Sequence, residues 1–187
     1  MSRKFNVIFF GPQKERIKFV HFKRPKKNGL AGMVQGNLFS GNIGILVNDE
    51  ADYAELFNST GDIPFVRLLP ETFYGIKNGN IGARTALFHE LGHCINGDHK
   101  KFENEEEYYE ERTGHLRTGV IMECEIAADD FAVKYLGAEY VARGLEEIMK
   151  RYDPISDAED FDQEEQEYYE LAQKELRLRI DRICNKL

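Results

Sequence analysis

Apolar residues recur along this chain with two different periods, and the change from one to the other divides it into halves. From Ile81 to Asn96 the positions Leu87, Phe88, Leu91, Cys94 and Ile95 form one apolar arc of an α-helix. Asn78-Gly79-Asn80 supplies a turn and an N-cap candidate ahead of it, and Gly97 stops it. A second helix runs from Thr118 to Gly137, where Ile121, Cys124, Ala128, Phe131 and Tyr135 repeat at spacings of three and four and mark a core face. Ala138 to Tyr152 and Phe161 to Lys186 predict two more helices, joined through Asp153-Pro154-Ile155-Ser156-Asp157.

The amino-terminal half reads as strands. Lys4 to Phe10 and Arg16 to Lys23, rich in Phe, Val and Ile, flank Gly11-Pro12-Gln13-Lys14 and predict a hairpin. Ile43 to Asn48 and Pro64 to Leu69 are further strands, Phe73 to Ile76 is a weaker one, and Glu50 to Asn58 reads as a short helix. No internal repeat is found. The expectation is one α+β domain over residues 1–187, strand-rich over 1–78 and helical over 79–187. A small, mainly antiparallel sheet packs on the 81–96 helix, the 118–137 helix crosses behind it, and the last helices cover the core.

Composition fits that picture: 187 residues with 42 % hydrophobic and 31 % charged positions suffice for one buried core and argue against disorder. The start, Met1 to Phe10, is basic and then apolar, but the apolar run is short, breaks at Gly11-Pro12 and lacks a small-residue cleavage site. We read it as a strand and expect a cytoplasmic protein. The three cysteines, Cys94, Cys124 and Cys184, have no framework spacing and suit reduced thiols, the first two on apolar seams.

Charge is uneven. Arg3, Lys4, Lys14, Arg16, Lys18, Lys23, Arg24, Lys26 and Lys27 make the first segment basic, with Phe19 and Phe22 among them, as a nucleic-acid-binding strand pair would be. Against a net charge of -8 for the whole chain, a solvated sheet face is the better reading, and nucleic acid is not the expected partner. The acidic run from Glu103 to Glu111 joins the two central helices. Most such runs are solvated helix faces or loops, but its position between the two helices makes it a candidate flap that would favour basic substrates.

The chemistry sits on those two helices. His89-Glu90-Leu91-Gly92-His93 is an HExxH run: side chains four apart share a helix face, so both imidazoles can reach one metal ion. Glu90, about 100° around the axis, can accept a proton from a metal-bound water. Gly82, Thr85 and Ala86 along the histidine line are small and leave room for an ion and a substrate chain. About thirty residues on, Glu125 and Asp129 lie beside the apolar seam of the second helix. Ionised carboxylates there cost several kcal/mol unless paired or bound to metal. Glu125 as third ligand removes the cost, and Asp129 can accept the outward N–H of a ligating histidine. The plainer alternative is a pair of boundary carboxylates reaching into solvent.

The run from His89 to Asp98, ending Asn96-Gly97-Asp98, together with Glu125-Ile126-Ala127-Ala128-Asp129, resembles the gluzincin zinc metallopeptidases, most closely the HtpX-like group with its HExxHxxNGD and ExxAD motifs. The resemblance covers roughly residues 80 to 137. It implies a zincin-like fold, with His89, His93 and Glu125 as zinc ligands, Glu90 as catalytic base and Asp129 as the aspartate behind a ligand histidine. HtpX-like proteases are membrane proteins, whereas no segment here approaches the ~18 to 20 apolar residues of a spanning helix. Soluble minigluzincins and ImmA/IrrE-type peptidases are therefore nearer in size.

The expected activity is zinc-dependent endopeptidase chemistry on an extended polypeptide laid against an exposed edge strand. His115, Tyr108, Tyr109, Arg112 and Tyr135 are candidates to stabilise the oxyanion. A narrow-specificity regulatory peptidase, a non-hydrolytic metal module and a nucleic-acid-binding module are the alternatives. His99, six residues after His93 as in the metzincin HExxHxxGxxH pattern, competes with Glu125 for the third ligand. Asn96 stands where that pattern has Gly, and Lys100 and Lys101 follow His99, so Glu125 is preferred.

Overall fold

In the computed structural model, which describes residues 8–9, 16–22, 29–36, 43–47, 54–60, 63–98, 119–152 and 163–185, the strands come first and the helices follow. Strands β1 (Ile8–Phe9), β2 (Arg16–Phe22), β3 (Gly29–Gly36), β4 (Ile43–Val47), β5 (Ala54–Thr60) and β6 (Ile63–Leu68) form one sheet in the order β1-β2-β3-β4-β6-β5. Helices α1 (Pro70–Asn78), α2 (Ile81–Asn96), α3 (Gly119–Leu136), α4 (Ala138–Met149) and α5 (Gln163–Cys184) come after, with a 3-10 turn at Lys150–Tyr152. The chain is α+β.

The sheet departs from the expected mainly antiparallel one where it matters for the core. β4 and β6 pair in parallel, Ile45 opposite Val66, while β5 folds back antiparallel on β6 and takes the edge. Burial explains the order. Ile43, Ile45 and Val47 of β4 and Val66 and Leu68 of β6 all lie in the apolar core, so these strands belong next to each other under the helices. The more polar sequence of β5 suits an edge.

Three elements differ from the sequence expectation. β5 occupies most of the segment read as a short helix, because register with β6 overrides the helix preference of Ala54-Glu55-Leu56. The weak strand at Phe73–Ile76 lies inside α1, which Pro70 starts and Gly79, at φ 85°, ends. β3 had no counterpart: Gly29, Gly32 and Gly36 dilute its strand signal.

Helix α2 is the hub. Asn80 caps it, its side chain accepting from Ala83 N at 2.7 Å, and Gly82 N donates to Glu147 Oε2 of α4 at 2.9 Å, bringing a carboxylate to the positive end of the helix. It touches β5, β6, α1, α3 and α4, so every residue from Ala86 to Cys94 is buried. Leu87, Phe88 and Leu91 fill the core as their spacing required. Its other face meets α3 at Gly92. A Cβ there would lie 2.8 Å from Ala128 Cα and 2.9 Å from Ala128 O, so only glycine lets the backbones approach this closely. Among the described residues, no helix is long and apolar enough to cross a membrane.

Candidate metal centre

The glycine contact between α2 and α3 sets His89 and His93 opposite Glu125 and Asp129. His89 Nε2 lies 3.0 Å from His93 Nε2 and 3.1 Å from Glu125 Oε2, and His93 Nε2 lies 3.5 Å from Glu125 Oε1. The two imidazole planes are perpendicular. Among the described residues this is the group of His, Cys, Asp and Glu side chains able to hold a metal ion. Its separations bracket the edge of about 3.3 Å expected for donors at zinc distances in a tetrahedron.

The far side of each ring is fixed by a carboxylate. His89 Nδ1 donates to Asp129 Oδ1 at 2.9 Å, and His93 Nδ1 donates to Asp98 Oδ2 at 2.8 Å. With those protons assigned, both Nε2 atoms turn lone pairs toward each other and toward a carboxylate. Acceptors this close repel unless positive charge joins them: Arg179 Nη1 lies 2.9 Å from Glu125 Oε2, and a proton or a metal ion between the Nε2 atoms would complete the compensation. The donor set therefore fits a metal.

The titration behaviour expresses the same demand. Burial opposes protonation of His93, but hydrogen bonds to Asp98 and Glu125 and the charges of Glu125 and Glu90 outweigh it, and its pKa is raised to about 10. Burial and the Arg179 charge oppose protonation of His89, and the Glu125 charge with hydrogen bonds to Asp129 and Glu125 again carries it upward. Burial resists ionisation of Asp129. The Arg179 charge and hydrogen bonds, helped by His89, overcome this and hold its carboxyl well below the usual range. Cys94 is no ligand candidate: burial, Glu90 and Asp98 all push its thiol pKa up, and both it and Cys124 are buried thiols that form no disulfide, as their seam positions implied.

Glu90 is buried on α2, close enough for its charge to act on His93. Two residues to which the sequence reading gave no role complete the cluster. Asp98 follows Gly97, whose φ of 72° turns the chain back at the end of α2 so that the carboxylate meets His93. Arg179 of α5 is 7 % exposed and forks onto Asp129, Nε to Oδ2 at 2.8 Å and Nη2 to Oδ1 at 2.7 Å. Its Nη1 pairs with Glu125 Oε2 at 2.9 Å. A signal for it existed, since Leu176, Arg179, Ile180 and Ile183 share one seam of α5 and an arginine on such a seam needs buried acids.

Tyr135 belongs elsewhere. It packs in the apolar core against Phe131 and Phe88, with ring centroids 4.6 and 5.8 Å away, roughly 15 Å further along α3 than Glu125 at the usual helical rise. That is a packing position rather than one facing the metal group. Tyr108, Tyr109, Arg112, His115 and the competing ligand His99 lie outside the described residues, as does the acidic 103–111 segment.

No protein-family model, curated protein or solved structure matches this chain. The site must be read from its own chemistry. Among the described residues, Glu90, Asp98, Glu125, Asp129 and Glu175 are buried acids and Arg179 is the buried arginine, an excess of four negative charges with neutral histidines. Burying such an excess demands compensating positive charge, from protonated histidines or from a bound cation.

Proposed function

We propose that this chain is a zinc-dependent peptidase with a zincin-like fold, in which His89, His93 and Glu125 hold the ion and Glu90 is the general base. The observation carrying the proposal is the convergence of both Nε2 atoms and the Glu125 carboxylate while Asp129 and Asp98 occupy both Nδ1 atoms. Two histidines with borderline donor character and one carboxylate form a set that suits zinc and leaves a fourth position open. A zinc ion bound there would supply Lewis acidity, lowering the pKa of a water and polarising a scissile carbonyl.

The protein's own groups do the rest. Asp129 and Asp98 keep the two rings in the tautomer that offers Nε2 and make those nitrogens more basic. Glu90 projects from the same helix turn as His89, where its carboxylate can take a proton from the attacking water and return it to the leaving amine. A residue kept only for metal binding would not require a buried carboxylate at that position. β5, the sheet edge that touches α2, offers backbone groups against which an extended peptide can add as a strand.

Glu90→Gln is the test. The amide cannot accept the proton, so hydrolysis of a casein or peptide-library substrate should be abolished while zinc content stays near one per chain. A fully active variant would sink the mechanism, and wild-type protein that takes up no zinc would sink the metal centre itself.

A further inference from the structure

Arg179 does more than neutralise charge. Its Nε and Nη2 grip both oxygens of Asp129, and Asp129 Oδ1 is the oxygen that accepts from His89 Nδ1. Its Nη1 reaches Glu125 Oε2 and, at 3.5 Å, Glu175 Oε1 one helical turn back along α5. One planar guanidinium from the last helix thus contacts the carboxylate that would ligate the ion and the carboxylate that aims a second ligand.

We propose that Arg179 is a positioning residue for the metal site, fixing Glu125 directly and His89 through Asp129, so that two of the three donors are set by one side chain delivered by α5. This rests on the metal-centre reading above. An opposing effect has to be weighed, because a cation this close to a dication also repels it, and removing Arg179 could tighten binding if repulsion won. Fork geometry decides which dominates. A guanidinium can present parallel N–H groups to Asp129 and a further one to Glu125 at the same time, whereas an ammonium is a point donor on a flexible stem. Arg179→Lys therefore keeps the charge and discards the fork.

The experiment uses the full chain, stripped of metal, as wild type, Arg179→Lys and Arg179→Met. Zinc affinity is read by chelator competition, and the ligand-field bands of the cobalt(II)-substituted protein report how the donors are arranged. Zinc affinity should fall about 10- to 100-fold in Arg179→Lys, the usual consequence of losing a partner behind metal ligands, with altered cobalt bands and a cooperatively folded chain. Arg179→Met should bind no more tightly than Arg179→Lys. Wild-type affinity and wild-type cobalt bands in Arg179→Lys overturn the proposal while leaving the metal centre standing. Tighter binding by Arg179→Met overturns it in favour of charge repulsion, and failure of Arg179→Lys to fold even with excess zinc overturns it in favour of a purely structural role. A wild-type chain that binds neither zinc nor cobalt removes both this proposal and the function it rests on.

Discussion

Gly92→Ala adds one methyl group where α2 meets α3, and its consequences for stability and for metal binding should differ sharply. The new Cβ would sit 2.8 Å from Ala128 Cα, 2.9 Å from Ala128 O and 3.1 Å from Phe131 Cβ. Ordinary carbon contacts begin near 3.5 Å, so the helices must open by about 0.7 Å. Overpacking of this kind costs roughly 1–3 kcal/mol, but alanine regains about 0.8–1 kcal/mol of helix propensity over glycine. The net loss is then about 0–2 kcal/mol, a fall in melting temperature of a few degrees for a chain of this size. The metal site is less forgiving. His89 and His93 are on one helix and Glu125 on the other, and a metal site tolerates donor displacements of only about 0.2 Å. Zinc affinity, measured by chelator competition on folded protein, should drop at least tenfold. Gly75→Ala is the control: its Cβ would meet the Ala83 side chain at 3.1 Å and the Asn80 side chain at 3.5 Å, at the start of α2 away from the histidines, and zinc affinity should not change. Equal zinc affinities for Gly92→Ala and wild type would refute the idea that this contact sets the site.

Four further outcomes follow from the same geometry. Asp98→Asn keeps an acceptor for His93 Nδ1 but loses its charge, and zinc affinity should fall on the order of tenfold in the same competition assay. Glu125→Ala should lower zinc affinity steeply and His99→Ala hardly at all; the reverse ranking would exclude Glu125 as third ligand. For metal-free protein, the pKa of His93 is raised from 6.5 to about 10, so its stabilising contribution is complete below pH 6.5 and lost as pH rises toward 10. Melting temperatures should therefore decline across that window, less so in zinc-saturated protein. Iodoacetamide on the native protein should modify exposed Cys184 and spare buried Cys94 and Cys124, as peptide mapping would show.

The parts of the fold legible in the sequence were those with strong local signals. α2 and α3 announced themselves through apolar residues at spacings of three and four, and Asn80 and Gly97 cap α2 as their types suggested. β5 was not legible because its residues favour a helix when alone and become a strand only by pairing with β6, although Gly61-Asp62 between two apolar runs was a hairpin signal. The parallel β4–β6 pair could not be inferred, since it depends on which strand the core draws inward. At the site, the HExxH run pointed to His89 and His93 and two carboxylates beside a core seam pointed to Glu125, the three side chains that the fold brings together as a group able to hold a metal ion. Asp98 and Arg179 were missed because Asp98 reaches His93 only through the turn at Gly97, and because the seam of α5 marks Arg179 as buried without telling which acids, far away in sequence, it meets.

Those two residues connect the fold to the chemistry. Each imidazole in the cluster has a carboxylate behind it, but the two carboxylates are held differently. Asp98 arrives by the helix-ending turn at Gly97, a local device that needs nothing beyond α2 itself. Asp129 is on α3 and is gripped by Arg179 from α5, so the aim of His89 depends on three helices staying together. The His93 arm should consequently survive partial loosening of the carboxy-terminal helix, while the His89 and Glu125 arms should not. Hydrogen exchange on metal-free protein can separate them: added zinc should raise protection in α5 as well as in α2 and α3. Protection gained in α2 alone would mean that the ion is held without the Arg179 connection.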